Sequence, residues 1–250
     1  MSMVSAGVDR ALRFVTEAWP GAGWLALPGA VGLAFAYLML AGWLKQRRGW
    51  PTGYTRKVFH FLVFTTVALL QATAGLPAVC VFGTAVSLVV FHAVWRGDGF
   101  AGYEAMAREK DAPRRTYFIL APYGATLLGG VTANLLFGPA ALGGYLVAGI
   151  GDAIAEPVGT RWGRHRYRVP SRRGVTSWRS WEGSAAVFCA SLLALVIALL
   201  LQGVPVLLHL AVLAGWAALC ALAEAVSPHG WDNATLQLLP SALLYFGQLL

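Results

Sequence analysis

Two acids, Asp152 and Glu156, run directly into a segment that holds seven arginines and no acid, residues 161–179. The acids stand four residues apart, so on a helix both project from one face. Pro157 follows and has no N–H, which leaves the Ala153 carbonyl without its usual helical donor. Two carboxylates and a freed carbonyl suit a hard, oxygen-liganded cation such as Mg²⁺. Pairing with nearby arginines is the plainer alternative. The arginines are Arg161, Arg164, Arg166, Arg168, Arg172, Arg173 and Arg179, with hydroxyls from Ser171, Thr176, Ser177 and Ser180 among them. Guanidinium groups take phosphate oxygens two at a time. A divalent cation and a polyphosphate could therefore share one pocket. A basic loop also arises from membrane topology or from contact with anionic lipid.

Other polar residues sit at the ends of apolar runs. Glu182, with Gly183 and Ser184, opens one such run. It reads as a helix cap or as a catalytic acid. Arg56, Lys57 and His60 fall within about one helix turn, and Lys57 and His60 can meet on one face. His60 could accept a proton or orient a hydroxyl, or simply mark a helix end at the interface. Glu224 lies near the end of a later run, and Asp232, Asn233 and Thr235 open the last one. Those three either cap a helix or complete a polar site with Glu224, and the second reading gives Glu224 a purpose.

The elements that must carry these residues are apolar. Of 250 residues, 58% are hydrophobic and 12% charged, against about 25% charged in soluble domains. The pattern is that of an all-α, polytopic membrane bundle of seven or eight spans. The spans fall near 24–44, 58–74, 76–95, 116–137, 140–158, 181–202, 204–226 and 232–250, most of them close to the ~20 residues that cross a bilayer. Residues 1–23 form an amphipathic segment, with Val8, Ala11, Leu12, Val15 and Trp19 at helical spacing. A short interfacial helix is expected within 96–115. Residues 24–250 form the bundle, and the whole chain reads as one domain.

Apart from Arg10 and Arg13, every lysine and arginine falls in the stretches 45–57, 96–115 and 159–180. With eight spans these lie on one side of the membrane, and their basicity places that side in the cytoplasm. This placement, in a bacterial-type inner membrane, also explains the net charge of +8 without a nucleic-acid partner. Asp152, Glu156, Glu182, Glu224 and Asp232 all map near the same face. A carboxylate there is costly unless it is paired or binds a cation. Cys80, Cys189 and Cys220 lie in apolar runs, which argues against a disulfide framework or a zinc site.

These residues, taken in order, resemble the polyprenol kinase group: phytol kinase, dolichol kinase and CTP-dependent diacylglycerol kinase, relatives of the phosphatidate cytidylyltransferases. The matching motifs are Arg56-Lys57-x-x-His60, Gly151-Asp152-Ala-x-Ala155 running to Gly159, Arg161-Trp-Gly163-Arg-His-Arg, Ser180-Trp-Glu182-Gly183-Ser184, and Glu224 with Asp232-Asn233-x-Thr235. Arg179 stands where a lysine often precedes the Glu-Gly-Ser signature, and Ala153 where glycine is common. The resemblance implies a lipid kinase using CTP, or another nucleoside triphosphate, with Mg²⁺. A lipid alcohol, isoprenoid or diacylglycerol, would enter from the bilayer. Arg56, Arg161, Arg164, Arg166, Arg179, Ser180, Gly183 and Ser184 would bind nucleotide. Asp152, Glu156, Glu182 and Asp232 would hold the metal, and Asp152, Glu182, Lys57 and His60 would serve catalysis. CMP transfer to a lipid phosphate is the alternative reaction. A non-enzymatic transporter is the alternative class, though the acids cluster at one end and no inverted repeat shows.

Overall fold

A computed structural model describes residues 3–14, 16, 19, 23–169, 177–228 and 230–247. Helices dominate, as the apolar runs require. The chain divides into two compact units, Met1–Leu120 and Ala121–Leu250.

The first unit begins with α1 (Met3–Arg13) and continues through α2 (Leu27–Arg48), α3 (Thr52–Thr73), α4 (Gly75–Arg96) and the short α5 (Ala101–Met106). Helix α2 stops at Gly49, whose φ of 66° is open to glycine at little cost. The Gly49 N–H then bonds Lys45 O at 3.1 Å and Trp50 N–H bonds Leu44 O at 3.3 Å, which satisfies the last carbonyls. Helices α2 and α5 cross closely because both contact residues are glycine. A Cβ on Gly42 would lie 2.9 Å from Ala101 O, and one on Gly102 would lie 2.7 Å from Leu38 Cδ2. Arg115 closes the unit's polar segment, with Nη1 2.6 Å from Asp98 Oδ1 and Nη2 2.6 Å from Glu104 Oε2. Lys45 reaches Glu109 at 2.5 Å, and Arg108 pairs with Asp111 at 2.9 Å.

The second unit takes most of α6 (Tyr117–Phe137), then α7 (Ala141–Val147), a π-helical turn (Ala148–Asp152) and α8 (Ala153–Trp162). A hairpin follows, β1 (Arg166–Val169) against β2 (Ser177–Ser180), and then α9 (Trp181–Leu201), α10 (Leu210–Val226) and α11 (Asp232–Gly247). Helices α7 and α11 approach through small residues. A Cβ on Gly144 would sit 2.2 Å from Gln237 O, and one on Gly143 would sit 2.0 Å from Leu244 Cδ1. Polar side chains tie both helices to α6. Asn233 Nδ2 donates to Thr126 Oγ1 at 3.0 Å, Gln237 Nε2 to Thr126 O at 3.1 Å, and Asn134 Nδ2 to the Tyr145 hydroxyl at 2.5 Å.

Large apolar side chains lie on the outside of the helices as well as inside. Alanines such as Ala190, Ala194 and Ala198 fill the inside of α9, while Leu193, Leu200 and Leu201 point outward and are more than half exposed. Such a surface suits lipid. Among the described residues, four helical runs are long and apolar enough to cross a membrane: Trp24–Arg48, Gly75–Arg96, Tyr117–Trp162 and Trp181–Leu201. The third run is broken at Gly138–Ala140, where Gly138 has φ 56°. That is where the sequence separates the fourth and fifth spans. The expected second, seventh and eighth spans are helical but fall outside this set. Helix α3 carries Arg56, Lys57, His60 and Gln71, and α10 and α11 are 17 and 16 residues long.

Among the described residues, the hairpin is the one stretch of β-structure. The basic stretch alternates Arg166-Tyr167-Arg168-Val169, and the exposure of those residues alternates with it until Val169 is buried. A period of two is a strand's period.

Candidate active site

Asp152 closes the π-helical turn and is 4% exposed. The turn inserts an extra residue per ring and breaks the regular ladder where Gly149 and Gly151 stand. A Cβ on Gly151 would come 3.3 Å from the buried Ser191 hydroxyl. Glu156 lies one turn further along, half-buried in α8, just before Pro157.

The end of α8, the end of β2 and the start of α9 meet around Ser180. Its hydroxyl accepts from Gly183 N at 3.1 Å and caps α9. A Cβ on Gly163 would lie 2.7 Å from that hydroxyl, and one on Gly159 3.1 Å from it. The glycines of the sequence motifs therefore serve close backbone packing here. Ser184 is likewise engaged, its hydroxyl 2.6 Å from the Tyr167 phenol. Burial raises that phenol above its ordinary pKa, and the bond to Ser184 partly offsets the rise.

Glu182 faces His165, with Oε1 2.8 Å from Nδ1, and also accepts from the His165 backbone N–H at 3.3 Å. Arg179 reaches two acids from two helices. Its Nη2 donates to Asp232 Oδ2 at 3.0 Å, and its Nη1 lies 2.9 Å from Glu224 Oε1. The second is a charge contact, because no Nη1 hydrogen aims along it. Asn233 ties α11 to α6 through Pro122 O and Thr126, and Thr235 shares a 2.7 Å bond with Ser227.

Arg161, Arg164, Arg166 and Arg168 point outward and are exposed. Arg161 lies over Trp162 and Arg168 over Trp178, at 5.1 and 5.2 Å from the ring centroids. Among the described residues no carboxylate pairs with any of these four arginines. Ser171, Arg172, Arg173 and Thr176 lie outside the described residues.

The geometry above is that of the second unit alone. Arg56, Lys57 and His60 belong to the first, on α3, where Lys57 is buried and His60 stacks on Phe64 at 4.4 Å. Within the second unit the expected site residues are distributed over several clusters. Among the described residues, no three His, Cys, Asp or Glu side chains converge into a group that could hold a metal ion. The donors thus do not form an all-protein cage. They do fit a nucleotide-borne Mg²⁺, which takes one or two carboxylates and draws its other ligands from phosphate and water. His165 and Tyr167 were not given roles by the sequence. The signal for Tyr167 was the alternation of residues 166–169. None existed for His165, whose partner lies 17 residues away.

Over 109 residues the chain is 38% identical to the phytol kinase of Synechocystis sp., a match covering 43% of this chain and 44% of that protein. The chain thus spans less than half the length of the curated relative it matches. No family model matches the chain, and no solved structure matches it. Over the matched stretch the chain is similar to a phytol kinase.

Proposed function

We propose that the protein is a membrane lipid kinase. It moves the γ-phosphate of CTP, or another nucleoside triphosphate, onto the hydroxyl of an isoprenoid alcohol of the phytol or polyprenol kind, or of diacylglycerol, at the cytoplasmic face. The observation that carries this reading is the set of exposed arginines without carboxylate partners among the described residues, Arg161, Arg164, Arg166 and Arg168, preceded in the chain by Asp152 and Glu156. The likeness to a phytol kinase gives that set a substrate class.

Phosphoryl transfer asks a protein mainly for positioning and for neutralisation of charge. The lipid oxygen attacks the γ-phosphorus, its proton passes to a base, and the nucleoside diphosphate departs. Arg161, Arg164 and Arg166 hold the phosphate oxygens in fork geometry. Asp152 and Glu156 would hold Mg²⁺, which would supply positive charge to the phosphates. Asp152 and Glu182 are the second unit's carboxylates for the hydroxyl proton. The lipid-like outer faces of the helices suit an acceptor that arrives through the bilayer.

The test is a screen of the protein in lipid nanodiscs with Mg²⁺. CTP, ATP, GTP and UTP are each offered with phytol, longer polyprenols, diacylglycerol and a lipid phosphate, and the lipid is read by mass. The expected result is a lipid monophosphate with at least one pair. A CMP-lipid product would indicate cytidylyl transfer instead. No lipid product with any pair would overturn the kinase reading.

A further inference from the structure

The hairpin register pairs Tyr167 with Arg179 and Arg168 with Trp178. Residues directly opposite in an antiparallel pair share a face, and the face alternates along the strand. Arg168 and Trp178 thus form the outer face, where both are exposed. Tyr167 and Arg179 form the inner face. Tyr167 bonds Ser184 at the start of α9, and Arg179 makes a charge contact with Glu224 at the end of α10 and donates to Asp232 at the start of α11. Arg179 is the inner-face residue that engages two helices at once. Its side chain is 14% exposed, Glu224's 6% and Asp232's 15%.

We infer that Arg179 is a positioning residue: a guanidinium clamped between Glu224 and Asp232 fixes the hairpin on the ends of α10 and α11 and so sets where Arg166 and Arg168 stand. This differs from the phosphate contact that the motif suggests for it. A guanidinium drawn away to a phosphate would give up the contacts to both carboxylates that hold it beneath the hairpin. The clamp also accounts for arginine at this position. A planar fork meets two acids from different helices at once, while an ammonium is a single point of charge. The clamp's effect on catalysis rests on the kinase reading above, but its effect on the hairpin does not.

A mutant cycle on the full chain in nanodiscs tests this with two readouts. The forms are wild type, Arg179→Ala, the pair Glu224→Gln with Asp232→Asn, and the triple variant. The first readout is the rate of trypsin cutting after Arg166 and Arg168, followed by mass, which needs no enzymatic activity. The clamp predicts that Arg179→Ala and the carboxylate pair each speed cutting about tenfold, and that the triple variant is no faster than either, as coupled residues require. Unchanged cutting in both would overturn it. The second readout is nucleotide KM against kcat. The clamp predicts that KM rises about fivefold or more in both variants while kcat stays within about threefold, with Arg179→Lys in between. A normal KM in the carboxylate pair beside a raised KM in Arg179→Ala would make Arg179 a phosphate ligand and overturn the proposal. If Arg179→Ala does not fold, Arg179→Lys and the carboxylate pair carry both readouts. If no lipid is phosphorylated by any form, the kinase reading fails while the trypsin result still decides the clamp.

Discussion

Residues 96–115 of the first unit hold five bases and four acids, and residues 161–180 of the second hold seven arginines and no acid. In the first stretch each acid has a basic partner: Asp98 and Glu104 with Arg115, Glu109 with Lys45, and Asp111 with Arg108. In the second, the nearby acids go to the hairpin's base and inner face. Glu182 takes His165, and Glu224 and Asp232 take Arg179. The outer arginines have no such partner among the described residues. Both stretches read as basic loops in a hydropathy plot. One balances its own charge and serves as a structural brace. The other keeps an excess of guanidinium groups, which is what a polyphosphate needs.

Four substitutions or conditions sharpen that contrast. Asp152→Asn removes a buried charge at the π-helical turn. It is expected to lower kcat by roughly 10²–10³-fold, the scale of losing one group that balances transition-state charge, with the thermal melt unchanged. Full turnover in steady-state assays would remove Asp152 from the mechanism. Arg164→Ala is expected to raise nucleotide KM by about 10–150-fold, since a charge-assisted bond contributes about 1.5–3 kcal/mol, again without a change in melting. An unchanged KM would make the second stretch no different in role from the first. Arg115→Ala should do the reverse. Loss of its bonds to Asp98, Glu104 and the Ala107 carbonyl is expected to cost about 2 kcal/mol of stability, seen as a lower melting temperature, with nucleotide KM intact.

The smallest effect concerns pH. Burial works to raise the Glu104 carboxyl, but the bonds from Arg115 and Gly99 outweigh it and hold the group below its ordinary 4.5. Lys45 holds Glu109 below the same value. The unfolded chain therefore takes up these protons first as pH falls. The brace's contribution is fully present above pH 4.5 and drains away as pH drops through the lower folded values. Glu109 is largely exposed, so solvent screens its share. Melting temperature measured from pH 7 to pH 3 should fall mainly below 4.5, and Glu104→Gln should flatten that fall. A curve unaffected by the substitution would take Glu104 out of the brace.

The helices were legible because apolar runs bounded by Gly, Pro or charge leave the backbone few other choices in lipid. The break at Gly138–Ala140, and the short α5 within 96–115, sit where the sequence places them. The hairpin was less legible. Two four-residue strands carry little periodic signal, and arginine is not a strong strand former. The π-helical turn at 148–152 leaves no composition mark beyond its glycines. Among site residues, the motifs identified Arg179, Glu182, Glu224 and Asp232 but not their partners. Partner choice depends on three-dimensional approach. Arg179 meets Asp232 across 53 residues of chain, a pairing that spacing does not encode.

The central claim is that the unpaired arginines serve transfer of the terminal phosphate to a lipid hydroxyl. CTP labelled at the γ-phosphorus in one reaction and at the α-phosphorus in another, each given with Mg²⁺ and the lipid alcohol found in the screen, tests it most directly. The account predicts label in the lipid from the γ-position alone, with CDP formed in equal amount. Label in the lipid from the α-position, with pyrophosphate released, would contradict it.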